Sequence, residues 1–386
     1  MEHFRFHVVG LPHTEVTKEF LPCAYTQKVR NFCKMMKSLG HEVFLYAGGD
    51  KTDVDVDKFT SIVSPEEQEK YFGHTDWRKD FFPINWGGNE AYWISSNLKA
   101  IHAIKDTIKE KDFICVIAGF CQQPIAEHFP AHQTIEFGVG YSGIFSNFRV
   151  FESYAWMHYV YGMKNITDGR AYDTVIPNYF DPADFPFSEE KDDYYLFVGR
   201  MVSRKGPHVA AEITEAIGAK LIMAGQGVIS KEPGKIVANE LTLLGGNIEH
   251  VGVVGVEERG KLMSRAKALF VPTQYIGPFE GVSIEAMMCG TPVISTDWGC
   301  FAENVIEGIT GFRTRTLGEG IWAAKNVDKL NPKRIRAFAE ANFSLDRVKM
   351  QYQGYFESLM QLWDKGWYSH EYNPINMRYF KHNVNE

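Results

Sequence analysis

Apolar runs and amphipathic stretches alternate along most of this chain. Phe4–Gly10 (FRFHVVG) is nearly continuous in apolar residues, as a strand buried on both faces of a parallel sheet must be. A loop leads to Cys23, and the pattern from Ala24 to Leu39 predicts a helix closed by Gly40. HEVFLYAGG is the next strand, and the strand–helix–strand rhythm opens a Rossmann-like domain. The rhythm breaks from Tyr71 to Trp93, an aromatic and irregular stretch, and resumes with a predicted helix over Ser95–Lys109 and a strand over Phe113–Gly119. QTIEFGVGYSG then reads as a strand and glycine-rich loop, and FESYAWMHYVYG as an amphipathic helix.

VIPNYFDPADFPF carries three prolines, which fix φ and bias their neighbours toward extended backbone, so it predicts a linker. From Tyr194 a second βα series begins. It runs through YLFVG, a helix over His208–Ile217, KLIMAG, a strand ending near HVGVV, a helix through Met263, ALFVP and a helix bearing Glu285. A last helix covers approximately Leu345–Trp363. At 386 residues the chain exceeds one ordinary core, and two α/β domains are expected, over 1–176 and 177–360, with 361–386 as a terminal segment.

Composition narrows the partners. The chain is 45% hydrophobic, with 41 basic against 48 acidic residues, a net charge of −7 that argues against a nucleic-acid backbone as the main ligand. Six cysteines without a CxxC pair fit buried, reduced thiols. The N-terminus lacks the charged and apolar regions of a signal peptide, and no stretch has the length of a membrane span, so a soluble cytoplasmic protein without membrane insertion is expected.

Two segments concentrate the chemistry. LFVGRMVSRKG (Leu196–Gly206) reads as a strand ending in a glycine turn, with Arg200 and Lys205 just beyond it. GPFEGVSIEAMMCGTPVIS (Gly277–Ser295) has an acidic, glycine-containing turn running into a helix. Gly199 permits close backbone approach, and two cations five residues apart can reach one diphosphate. Arg offers a planar fork and Lys a mobile point charge. A helix N-terminus adds unpaired N–H groups and a partial positive charge. Phe279, Gly281 and Val282 would act through their backbone at that helix start, and Glu285 can accept from a vicinal diol.

Taken in order, VIPNYFDPADF, LFVGRMVSRKG, LIMAGQG and the Gly277–Ser295 block with DWGCFAENVIEGITGF resemble family 4 of the retaining glycosyltransferases. The likeness covers the C-terminal half almost continuously and the N-terminal half in outline. It implies the GT-B fold, two Rossmann-like domains facing each other across a cleft. It also implies a nucleoside-diphosphate sugar as donor, retention of anomeric configuration, and no metal or cofactor. The terminal segment would then pack back on the first domain, by analogy with GT-B chains. Arg200 and Lys205 would stabilise the departing diphosphate and Glu285 would hold the ribose. The family has a second glutamate eight residues earlier; here that position is Gly277, and Glu280 is the candidate to supply the carboxylate, against an ordinary acidic residue near a helix start. In the first half, His13 and Thr14 would approach the donor phosphates, and Glu136 in TIEFGVG takes the place of a catalytic histidine, or is a strand-end glutamate with a structural partner.

The acceptor is left open: glycan, lipid, protein, metabolite or modified nucleobase. Trp77, Trp86, Tyr92 and Trp93 are candidates for an acceptor groove or for core beneath an irregular loop. DVDVD at Asp53–Asp57 has metal-like spacing, but a solvated acidic loop is preferred, and no metal site is expected. A nucleotide-sugar epimerase or phosphorylase of the same architecture, and a non-catalytic nucleotide-sugar-binding scaffold, are the rival functions.

Overall fold

Arg5–Val9 forms the strand its apolar run predicts and lies between Glu42–Thr52 and Phe113–Val116. All run parallel, with Phe6 opposite Val43 on one side and Phe113 on the other. The computed structural model describes residues 2–20, 23–74, 82–238 and 240–364. They fall into two units, which divide at Tyr179 and Phe180 and again at Ser344 and Leu345, with Ser153–Trp156 assigned to the second.

The sheet of the first unit runs Glu15–Val16, Glu42–Thr52, Arg5–Val9, Phe113–Val116, Thr134–Val139, Phe148–Phe151, Thr174–Val175, with Lys58–Val63 added beside Glu42–Thr52. Every pairing is parallel. Central strands buried on both faces explain the unbroken apolar runs. Strand order reverses at Arg5–Val9, and Gln122 ties the two loops there. Its Oε1 accepts from the N–H groups of Ile117 and Ala118, each at 2.8 Å, and its Nε2 donates to the Gly10 carbonyl at 2.8 Å. The helix Leu345–Asp364 belongs to this unit as well, whereas the expected second domain, 177–360, includes most of it. Phe356 packs 4.6 Å from Phe6 between ring centroids, Tyr352 packs 5.2 Å from Phe32, and His41 Nε2 meets Gln353 Oε1 at 2.7 Å. Residues 365–386 lie outside the described residues, and with them most of the 361–386 segment.

The second unit is built on six parallel strands in the order Ile248–Gly252, Leu221–Ala224, Tyr195–Val198, Leu269–Val271, Val293–Thr296, Gly311–Thr314. The chain goes from Tyr195–Val198 to one side for two strands, then returns to the other side at Leu269–Val271. This is the switch point at which ligands bind outside the carboxyl ends of such sheets. The turns after these two strands, 199–206 and 272–280, therefore sit together at the carboxyl edge. Between Leu221–Ala224 and Ile248–Gly252 the crossover is not a helix but an antiparallel meander, Val228–Glu232, Lys235–Ala238 and Thr242–Leu244. The architecture is GT-B, with two Rossmann-like α/β units. No helix among the described residues is long and apolar enough to cross a membrane.

Candidate active site

The two turns at the switch point are joined by their backbones. Gln274 N–H donates to the Arg204 carbonyl at 2.8 Å. Gly206, at φ 74, stands where a Cβ would lie 2.1 Å from the Pro272 carbonyl oxygen, so only glycine fits this crossing. Beyond Gly199 the chain exposes Arg200, makes one short turn at Ser203–Lys205 and enters the helix Pro207–Ala216. That turn throws Lys205 across to the second segment.

There its Nζ donates to both carboxylate oxygens of Glu280, at 2.7 and 2.6 Å. Tyr275 donates its hydroxyl to Glu280 Oε1 at 2.9 Å, and the guanidinium carbon of Arg204 lies 5.2 Å from the Tyr275 ring centroid. Burial alone would push the Lys205 ammonium down, but the Glu280 charge and the bonds from Glu280 and Tyr275 outweigh it and hold its pKa above the ordinary lysine value. Lys205 is therefore a fixed cation at neutral pH.

Glu280 takes left-handed backbone at φ 55 and ψ 62, a conformation that costs a non-glycine residue about 1–2 kcal/mol. Its partners hold it there. The Ser283 hydroxyl and N–H both donate to the Glu280 carbonyl, at 2.8 and 3.0 Å, while Lys205 and Tyr275 fix its carboxylate. A Cβ at Gly277 would lie 2.6 Å from Glu280 Oε1, so the Glu280 carboxylate fills the space a side chain at 277 would occupy. The helix Gly281–Met288 begins immediately after and has no side-chain cap, leaving first-turn N–H groups at Gly281 and Val282. Phe279 is buried against Phe180 and Phe343, and its carbonyl accepts from Asn304 Nδ2 at 3.1 Å. Gly281 is small for a packing reason, since a Cβ there would lie 3.2 Å from the Phe180 ring. One turn along the helix, Glu285 Oε1 faces Arg259 Nη2 at 3.4 Å, and Glu285 Oε2 is buried without a hydrogen-bond partner.

The structure thus brings Lys205, Glu280 and the helix start at Gly281 and Val282 together beside Phe279, with Glu285 on the same short helix, while Gly199 packs its carbonyl against Gly225 at the end of its strand. Tyr275, Arg204 and Arg259 were missed. Nothing in an irregular TQYIG loop marks its tyrosine, and an arginine beside Arg200 and Lys205 adds no separate signal.

The first unit treats its candidates differently. His13 is buried among Phe72, Phe82 and Trp86, and burial pushes its pKa down to about 3, so it is neutral. Thr14 is equally buried and accepts from the Thr26 hydroxyl at 2.7 Å. Both side chains fill the interior behind the first loop. Glu136 has no solvent-exposed surface; its carboxylate accepts from the N–H groups of Phe145 and Ser146 and from the Tyr141 hydroxyl, at 3.0, 2.8 and 3.1 Å. These bonds hold the loop after its strand, the kind of structural partner named as the alternative for this residue.

Tyr92 and Trp93 are core residues whose polar tips bond to the Asn85 backbone, so neither lines a groove. Trp86 presents a face, with 40% of its surface exposed. Trp77 lies outside the described residues. Of the DVDVD acids, Asp53 pairs with Arg30 at 2.8 Å and Asp57 with Lys37 at 2.8 Å. Among the described residues no group of three or more His, Cys, Asp or Glu is placed to hold a metal.

The two-unit Rossmann-like architecture is the GT-B fold, and the paired cation, carboxylate and helix start lie at the switch point of its second sheet. Residues 182–316, which contain the whole cluster, match the family described as Glycosyl transferases group 1. An uncharacterized glycosyltransferase of Methanocaldococcus jannaschii is 26% identical over 181 residues, 45% of this chain and 50% of that protein. The chain spans about half or less of the length of the curated relatives it matches first. Among solved structures, AviGT4, a glycosyltransferase involved in avilamycin A biosynthesis, superposes with a TM-score of 0.67 at 19% identity, covering 92% of this chain and 98% of its own. Anabaena HepE in complex with UDP-glucose does so at 0.61 and 14% identity, covering 93% and 100%.

Proposed function

We propose that this chain is a glycosyltransferase that moves a sugar from a nucleoside-diphosphate sugar to an acceptor hydroxyl, with retention of configuration and without a metal or further cofactor. The observation that carries this is the cluster of Lys205, Glu280, Tyr275 and the uncapped helix start at the switch point of the second sheet. The family match over these residues and the glycosyltransferase relatives support it, and the UDP-glucose in HepE makes UDP-sugars the first donors to try.

In this account Arg200, Lys205 and the N–H groups of Gly281 and Val282 receive the diphosphate. The acceptor oxygen bonds to the anomeric carbon as the bond to the β-phosphate oxygen breaks, and the electron pair leaves with the diphosphate. A cation already held in place costs no reorganisation as that charge develops. The acceptor proton passes to the departing diphosphate oxygen. Glu280, seated over Gly277, supplies the carboxylate beside the transferred sugar, and Glu285 holds the ribose.

The test is a thermal-shift screen of wild type and Arg200→Ala against UDP, GDP, ADP and their sugars. A ligand at 100 times its dissociation constant adds about 2.7 kcal/mol of stability. The expected result is a shift with one base, lost in the variant. No shift with any nucleotide would overturn the donor site.

A further inference from the structure

Glu285 is an acid enclosed between two helices, Val256–Arg265 and Gly281–Met288, with 15% of its side chain exposed. A carboxylate so placed needs compensation, and Arg259 supplies it, itself 18% exposed, with Nη2 3.4 Å from Oε1. The pairing is one-sided. Oε2 is buried and has no hydrogen-bond partner, which a folded protein rarely tolerates unless another group completes it. An arginine facing one oxygen leaves the second oxygen as an acceptor for a hydroxyl donor. Arg259 reaches Glu285 from the neighbouring helix, and no other cation is paired with Glu285 among the described residues.

We infer that Arg259 is a positioning residue that aims Glu285 at the donor ribose, so that this pair sets the preference for a ribonucleotide over a deoxyribonucleotide. The inference rests on the donor-site reading above. The guanidinium does not touch the nucleotide; it orients Glu285, and the vicinal diol completes the carboxylate.

The experiment is calorimetric titration of the intact chain with UDP, GDP and ADP, then with the 2′-deoxy and 3′-deoxy forms of whichever binds. Wild type should favour the ribose form by about tenfold or more, because a site built around a hydroxyl rejects the analogue that lacks it. Arg259→Met and Glu285→Gln should both bring that ratio close to one by weakening the ribose form more than the deoxy form, an outcome that general damage to the unit would not give. Arg259→Lys should restore part of the ratio, and it carries the same comparison if Arg259→Met fails to fold. A wild-type ratio in the folded Arg259 variants, with the ratio lost in Glu285→Gln, would overturn the role of Arg259 alone. No preference in wild type would overturn Glu285 as the ribose residue and this inference with it. Failure of all three nucleotides to bind would overturn the donor-site reading itself.

Discussion

The two units share one architecture and put opposite chemistry at the carboxyl ends of their strands. In the second, the switch-point turns bring together a partly buried cation, a buried, hydrogen-bonded carboxylate and an uncapped helix start whose first two residues are partly exposed. In the first, the corresponding candidates are buried. His13 and Thr14 are interior, Glu136 is sealed beneath its own loop, and Lys28 is buried in an ion pair with Glu152. A Rossmann-like frame thus fixes where a ligand can sit, and the turn residues decide whether anything charged waits there.

The largest effect that would break this contrast lies in the frame of the first unit. Phe356→Ala removes a fully buried ring from among Phe6, Phe32 and Phe113, and should cost about 3–5 kcal/mol in urea unfolding followed by tryptophan fluorescence. A cost below ~1 kcal/mol would mean that the terminal helix is not part of this core. Next comes chemistry in the second unit. Lys205→Ala should lower turnover of the identified donor about a hundredfold, or ~3 kcal/mol in the barrier, with the far-ultraviolet spectrum unchanged.

A third, smaller effect tests the sealed acid of the first unit. Burial pushes Glu136 up to about 7, against three hydrogen bonds that pull it down. With the folded value raised above the unfolded one, its contribution to stability is full below about pH 4.5 and is lost as pH rises through about 7. Glu136→Gln should remove that decline and be more stable than wild type at pH 8, by on the order of 2 kcal/mol. A variant that tracks wild type across this range would show that the carboxyl is not sealed. The smallest effect concerns the backbone of Glu280. Both Glu280→Ala and Glu280→Gly lose the Lys205 bond, but glycine accepts φ 55 without strain and should be the more stable of the two by about 1 kcal/mol. Equal stabilities would remove the strain assigned to this position.

Much of the frame was legible because strands buried on both faces leave continuous apolar runs, as at Phe4–Gly10 and in ALFVP. The meander at 228–244 was not. Its strands are three to five residues long, and the crossover between parallel strands is ordinarily a helix. The predicted helix at Ser95 begins at Ala91 instead, and that shift carries Tyr92 and Trp93 onto its buried face. An aromatic-rich stretch looks the same whether its rings face a groove or a core, so only packing separates Trp86 from Trp93. The return of the last helix to the first unit was equally hidden, since it depends on contacts between Phe356 and Phe6 across 350 positions of chain. In the site, the resemblance of LFVGRMVSRKG and the Gly277–Ser295 block pointed to Arg200, Lys205 and Glu285. The seating of Glu280 over Gly277 requires a left-handed residue and an absent side chain to be seen together, which a linear pattern does not show.

The most direct test of the central claim, that the second unit alone presents the charged donor site, is amide hydrogen exchange with and without a saturating nucleoside diphosphate. Slowed exchange at 199–206 and at Gly281–Ser283, with the loop holding His13 and Thr14 unchanged, is the result this account predicts. Protection confined to the first unit, or none at the two turns of the second, would contradict it.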